Sequence, residues 1–222
     1  MDIEAVLDRN FTRITDKYKK FCLEKNKCKK CSLYHHYEQT LQSEGNAKDP
    51  TFMVIGEGPG KEEIEHNRPF VGRAGQRLRA ELRKYPDTFR RDTVLISNIL
   101  ACRPLNNKFP SNDDSLVKRC CGLWVYREIQ LLQPKVIIIL GSPALKNIRG
   151  DLYITANRGQ WKFVREHNCW SFATFHPSYV LRSENSGKEF ISDQFNADIK
   201  KIADGWRDII DNDYRVNDGR SN

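Results

Sequence analysis

Apolar positions along the chain fall into two patterns. Four short, nearly continuous runs, Thr51–Ile55, Thr93–Ile96, Lys135–Leu140 and Ser171–Phe175, are rich in β-branched and aromatic residues and predict strands. Their continuity, in place of strict alternation, fits a parallel sheet covered on both faces. Helically spaced stretches separate them: roughly Ala74–Lys84, then Ser115–Leu132, then a shorter piece at Pro143–Arg149. A last amphipathic stretch, Lys188–Trp206, sets Ile191, Phe195, Ile199, Ile202 and Trp206 on one side. Ahead of the first strand, Ile3, Leu7, Phe11, Ile14 and Tyr18 keep helical spacing in a polar segment. The pattern predicts an α/β protein, a three-layer α/β/α sandwich around a four-stranded parallel sheet in the order 2-1-3-4. Residues 1–210 read as one domain that includes the N-terminal segment, and Asp211–Asn222 as a frayed polar tail.

In such sheets ligands bind beyond the carboxyl ends of the strands. Each predicted strand delivers turn-forming or chemically useful residues to that edge. The first is followed by Gly56-Glu57-Gly58-Pro59-Gly60, the second ends in Ser97-Asn98, the third runs into Gly141-Ser142-Pro143-Ala144, and the fourth into His176-Pro177-Ser178. The glycines let backbone approach a ligand closely. The first segment lacks both the G-x-G-x-x-G spacing of a dinucleotide fold and the Lys-Ser/Thr of a P-loop, which disfavours a nucleotide-binding domain.

Charge and cysteines sharpen this picture. With 37 Lys and Arg against 29 Asp and Glu, the net charge of +8 favours a polyanionic partner. No run of 18 apolar residues suggests a membrane span. Met1-Asp2-Ile3-Glu4 does not open a secretory signal, so an intracellular protein is expected, and a monomer. Seven cysteines in such a chain suit metal ligands or buried thiols better than disulfides. Cys28 and Cys31 form a two-ligand clip that, taken alone, is also half of a zinc site.

Gly56-Glu57-Gly58-Pro59-Gly60, continued by Pro69-Phe70-Val71-Gly72-Arg73-Ala74-Gly75, resembles the first signature of the family 4, iron–sulfur-containing uracil-DNA glycosylases. His176-Pro177-Ser178-Tyr179-Val180-Leu181-Arg182 is similar to the second, the loop that enters the minor groove, and Ile154-Thr155 and Arg158-Gly159 precede it as in the family. The resemblance covers roughly residues 22–206. It departs at Ile64-Glu65 and at Asn67, where Gly is usual, and Gly58 stands where the best-known uracil glycosylases carry Asp.

The resemblance implies an enzyme that flips uracil out of DNA and hydrolyses its N-glycosidic bond, leaving an abasic site. It implies His176 as the group that stabilises departing uracil, and Glu57 as the group that positions water or stabilises the sugar cation. Uracil would meet Gly58, Glu63, Phe70 and Asn98: Asn98 reading the base edge, Phe70 stacking, Glu63 excluding the thymine methyl. Pro177, Ser178, Leu181 and Arg182 would contact DNA; Arg73 and Arg77 read either as further phosphate contacts or as solvated surface arginines. Cys28, Cys31, Cys102 and Cys121 would hold a [4Fe–4S] cluster, with zinc as the alternative. Cys121 is chosen over Cys120 by counting back from the helix that runs into Gln130-Leu131-Leu132. Cys22 and Cys169 read as packing residues. The competing reading is a glycosylase-like protein that binds uracil-containing or single-stranded DNA without cutting it. A related group traps its product covalently through a His in an inserted loop, and no His lies between Cys102 and Cys121.

Overall fold

The computed structural model describes residues 2–33, 40–110 and 114–212, the last stretch without the side chains of 114, 116–119, 121 and 122. A single sheet organises them. Its strands are β1 (Phe11–Ile14), β2 (Glu44–Ala47), β3 (Phe52–Gly56), β4 (Val94–Asn98), β5 (Val136–Leu140), β6 (Trp161–Val164) and β7 (Cys169–Thr174), in the order β1-β2-β4-β3-β5-β7-β6. The expected four-stranded sheet is therefore corrected to a seven-stranded, mixed one. The four runs read from the sequence pair in parallel at its centre, as β4-β3-β5-β7. Beyond them, β2 pairs antiparallel with β4, β1 parallel with β2, and β6 antiparallel with β7.

The three added strands escaped the pattern for a physical reason. Each has four residues, and Glu44-Gly45-Asn46-Ala47 has almost no β-propensity. Helical spacing from Ile3 to Tyr18 is likewise overridden. Helix α1 (Ile3–Asn10) stops, β1 follows, and α2 (Asp16–Asn26) begins where the Thr15 side chain accepts a hydrogen bond from Tyr18 N. Asn10 marks the break: its buried amide donates to Ser43 O at 3.3 Å and to Asn67 O at 2.8 Å.

The remaining helices are α3 (Lys61–His66), α4 (Arg73–Leu82), α5 (Asp114–Leu132), α6 (Gly141–Arg149), α7 (Ile154–Asn157), α8 (Pro177–Asn185) and α9 (Glu189–Asp211). They lie on both sheet faces. Met53, Ile55, Ile137 and Ile139 join one core with Phe21 of α2, Trp124 of α5 and Leu145 of α6. Phe52, Val54, Val136, Ile138 and Leu140 join the other with Leu78 of α4, Val180 of α8 and Phe195 of α9. All five residues of β5 are fully buried, and each such side chain contributes about 1.5–3 kcal/mol. α9 stays amphipathic as far as buried Ile210, beyond the expected Trp206; the tail expected after it lies, past Asn212, outside the described residues. No helix among the described residues is long and apolar enough to cross a membrane.

Candidate functional site

A cleft of about 210 Å³ opens at the carboxyl ends of the central strands, lined by Glu57, Gly58, Phe70, Asn98 and His176 among others. Sheet register brings two of its walls together. Gly56 and Asn98 are cross-strand partners at the ends of β3 and β4, and the pairing continues through Ile99 N to Gly56 O and Leu100 N to Glu57 O. A Cβ at position 56 would stand 2.4 Å from the Phe70 ring and 2.6 Å from Asn98 Oδ1, so only glycine lets both side chains close on the cleft. Asn98 is buried, and among the described residues its amide has no hydrogen-bond partner, which leaves a donor and an acceptor for a bound group.

Phe70 holds its ring there at some cost. Its backbone is left-handed, φ 55°, a conformation that costs a bulky residue roughly 1–3 kcal/mol. Arg79 offsets it by donating to Phe70 O at 2.9 Å and Pro69 O at 2.8 Å while paired with Glu44 at 2.5 Å. Gly75 makes room, since a Cβ there would fall 2.0 Å from the Phe70 carbonyl. Glu63 ties the two halves of the glycine-rich segment together. One carboxylate oxygen accepts from Gly60 N at 3.0 Å, the other from Val71 N at 3.0 Å and Gly72 N at 2.8 Å. It lines the cleft as a fixed wall.

His176 is the N-cap of α8. Its Nδ1 accepts from Ser178 N at 3.2 Å and lies 2.8 Å from Ser178 Oγ. A backbone N–H only donates, so Nδ1 carries no proton and the neutral ring presents Nε2–H. Burial, helped by the charge of Arg182, pulls its pKa down to about 4. Burial pushes Glu57 up to about 7, against the opposing influence of Arg182. The two meet over Gly141, whose φ of 87° and missing side chain admit them: a Cβ there would lie 2.7 Å from Glu57 Oε1 and 3.0 Å from His176 Cβ.

Of the residues expected at DNA, Pro177 is buried at the first turn of α8, Ser178 lines the cleft, Leu181 is half-buried and Arg182 exposed. Arg73 is exposed as well. Arg77 does not fit the expected phosphate contact. Its guanidinium is engaged by Glu81, Glu184, Ser192 and Asn196 and lies over the Phe195 ring. Sequence reasoning missed Pro104, Asn107 and Phe109, which complete the cleft wall. The available signal was an apolar Phe109 in the polar stretch after Cys102.

On the far side of that loop, thiols gather. Cys31 Sγ lies 3.6 Å from Cys120 Sγ, and Trp124 Nε1 donates to Cys28 Sγ at 3.3 Å. Burial, then the neighbouring Cys31 and Cys28, push the Cys102 thiol up to about 12, and the same causes raise Cys120. Among the described residues no three such side chains already stand as a cage for one metal ion. The donor set is nonetheless all sulfur, in keeping with an iron–sulfur cluster and with zinc alike. The thiol beside Cys31 is Cys120; the side chain of Cys121, the expected fourth ligand, lies outside the described residues. Cys22 and Cys169 are buried in the core with thiols pushed up to about 12 by burial, as packing residues would be.

The model of the uracil DNA glycosylase superfamily matches residues 42–200. The chain is 37% identical over 165 residues to a type-4 uracil-DNA glycosylase of Thermotoga maritima, covering 72% of this chain and 81% of that protein. It is 34% identical over 183 residues to one of Sulfurisphaera tokodaii, covering 79% and 78%. It is 32% identical over 185 residues to one of Archaeoglobus fulgidus, covering 80% and 87%.

Proposed function

The chain belongs to the uracil DNA glycosylase superfamily, to its type-4 branch, and on that premise we propose how its own residues perform the reaction. It is a DNA repair glycosylase that hydrolyses the N-glycosidic bond of uracil in DNA and leaves an abasic site. Its roles divide as follows. Uracil flipped from the strand stacks on Phe70. The Asn98 amide accepts from uracil N3–H and donates to O4; cytosine reverses that pattern and leaves buried polar groups unpaired. Glu63, held by three backbone N–H groups, is the wall beside C5 that rejects the thymine methyl.

As the C1′–N1 bond breaks, its electron pair passes to uracil and negative charge grows on O2. His176 Nε2–H donates to that oxygen, and a neutral imidazole suffices. Glu57 takes a proton from the water that attacks the sugar at C1′, which a carboxylate with a pKa of about 7 is suited to do. No carboxylate at position 58 is then required. Pro177, Ser178, Leu181 and Arg182 meet the DNA at the start of α8.

Cys28, Cys31, Cys102 and Cys120 are our candidates to hold the [4Fe–4S] cluster, with Cys120 replacing Cys121 because its sulfur stands beside that of Cys31. Such a cluster supplies a structural tie between the N-terminal clip and α5.

The observation that carries this reading is the tautomer of His176, fixed by Ser178 N at 3.2 Å, in a cleft shared with Asn98 and Phe70. The test is a uracil-containing oligonucleotide incubated with the protein and treated with alkali, read at single turnover. His176→Ala should slow cleavage by about a hundredfold or more while DNA affinity is retained, because the lost bond strengthens only in the transition state. A variant that melts earlier but cuts at full rate would make His176 a helix cap only. A retarded but uncut strand with the unmodified protein would return the binding-only reading.

A further inference from the structure

A second cavity, of about 510 Å³, lies away from the cleft, between α4, the loop that precedes β4, and the sheet at β2 and β4. Six arginines line it: Arg9, Arg68, Arg79, Arg83, Arg90 and Arg91. Two carboxylates answer them. Glu44 bridges Arg68 at 2.6 Å and Arg79 at 2.5 Å, and Asp92 pairs with Arg90 at 2.8 Å. Arg83 and Arg91 are exposed, and among the described residues their guanidiniums pair with no carboxylate. Among the described residues the buried Nε–H of Arg68 has no acceptor. The same space is also lined by apolar Leu82, Phe89, Val94 and Ile96.

This combination is specific. Guanidinium forks match the oxygens of a phosphate ester. An apolar wall containing a phenyl ring suits a flat base. The volume falls in the range of small-ligand pockets, about 300–1,000 Å³. A surface that attracted DNA by charge alone needs neither the concavity nor the wall. We propose that this cavity is a second site, one that binds a nucleoside monophosphate unit, its phosphate on Arg83, Arg91 and Arg68 and its base against Phe89 and Leu82. Such a unit reaches the cavity free in solution or as the phosphorylated end of a DNA strand. Among the described residues the site shares no lining residue with the cleft, so it stands or falls independently of the roles assigned there.

The test titrates the full-length protein, by calorimetry at low salt, with deoxyadenosine 5′-monophosphate, which lacks the uracil edge that Asn98 reads. Deoxyadenosine is the control. The nucleotide should bind at least about tenfold tighter than the nucleoside, and the Arg83→Ala/Arg91→Ala variant should weaken it by about tenfold. Asn98→Ala should leave it unchanged. Melting is checked for each variant, and Arg83→Glu alone, at an exposed position, serves if the double variant does not fold. Uracil-free oligonucleotides with and without a 5′-phosphate separate the two sources. Preference for the phosphorylated strand, abolished in the double variant, identifies a strand end; equal binding of both strands alongside tight mononucleotide binding identifies the free ligand. No binding of the nucleotide at millimolar concentration would overturn the proposal. So would binding that survives both the double variant and Arg83→Glu, or binding that is lost with Asn98→Ala.

Discussion

At His176 one accepted hydrogen bond decides which nitrogen carries the proton, while burial, helped by the charge of Arg182, decides the pH range in which the ring is neutral. A ring whose pKa is pulled down to about 4 is neutral throughout the range in which Glu57, pushed up to about 7, titrates. A base must be ionised, so single-turnover excision should rise with pH up to about 7 and level off above it, with no second inflection between pH 5 and 9. Glu57→Gln should lower the plateau and flatten the rise. Arg182→Ala removes the charge that opposes the upward shift and should move the inflection to higher pH. A profile that moves in neither variant would separate Glu57 from proton transfer. The proposed base reading rests on another single residue. Asn98→Asp exchanges a donor for an acceptor, and one unpaired buried group costs about 1–3 kcal/mol. Uracil excision should fall by roughly five- to a hundredfold, with cytosine opposite an abasic gap becoming a measurable substrate. Unchanged preference in a competition between the two bases would exclude the reading role.

At the scale of elements, α5 and the loop before it connect chemistry to scaffold. From Cys102 the chain passes within a few residues to Pro104, Asn107 and Phe109 in the cleft wall, with Asn106 and Asn107 both left-handed and Arg103 Nε bound to Asn107 Oδ1 at 2.7 Å. From Cys120 it runs on to Glu128, fully buried, which accepts from Ser43 Oγ at 2.5 Å and Ser97 Oγ at 2.8 Å and also from the Tyr18 hydroxyl. Ser97 adjoins Asn98. Cys120→Ser should therefore reduce the iron content and the melting temperature together, whereas Cys121→Ser should keep both; iron analysis of the two purified variants decides, and zinc without iron in the parent protein would remove the cluster altogether. How much of this could be read beforehand differs by element. The central strands announce themselves because both faces are buried and nearly every position is apolar. β1, β2 and β6 do not, since strands of four residues carry too short a pattern to read and hold their place by pairing, β1 with the distant β2, β2 with the distant β4, and β6 with β7. Glu57, Asn98 and His176 were legible because strand ends converge. Arg79 was not, since nothing local connects it to the carbonyl of Phe70, and counting along the helix says nothing of the approach of Cys120 to Cys31.

For the whole molecule, the charge of +8 is divided between arginines already engaged, such as Arg77, Arg79 and Arg158, and exposed ones such as Arg73 and Arg182. Only the second kind can release counterions from DNA. The affinity for a uracil-containing duplex should fall steeply with salt, and Arg182→Ala should reduce the log–log slope by about one while Arg77→Ala leaves the slope unchanged and lowers the melting temperature instead. Equal slopes for the two variants would deny Arg182 its phosphate. The convergence of strand ends also has a consequence for how the protein comes into being. Glu57, Asn98 and His176 are separated along the chain by most of the sheet, and the last of them follows β7. A nascent polypeptide that has emerged from the ribosome only through β5 already holds Glu57 and Asn98, yet it lacks His176, the donor proposed for uracil O2. On the proposed role of His176, excision should begin only late in synthesis, and regained excision after dilution from denaturant should time the arrival of β7 and α8 rather than the first collapse of the sheet.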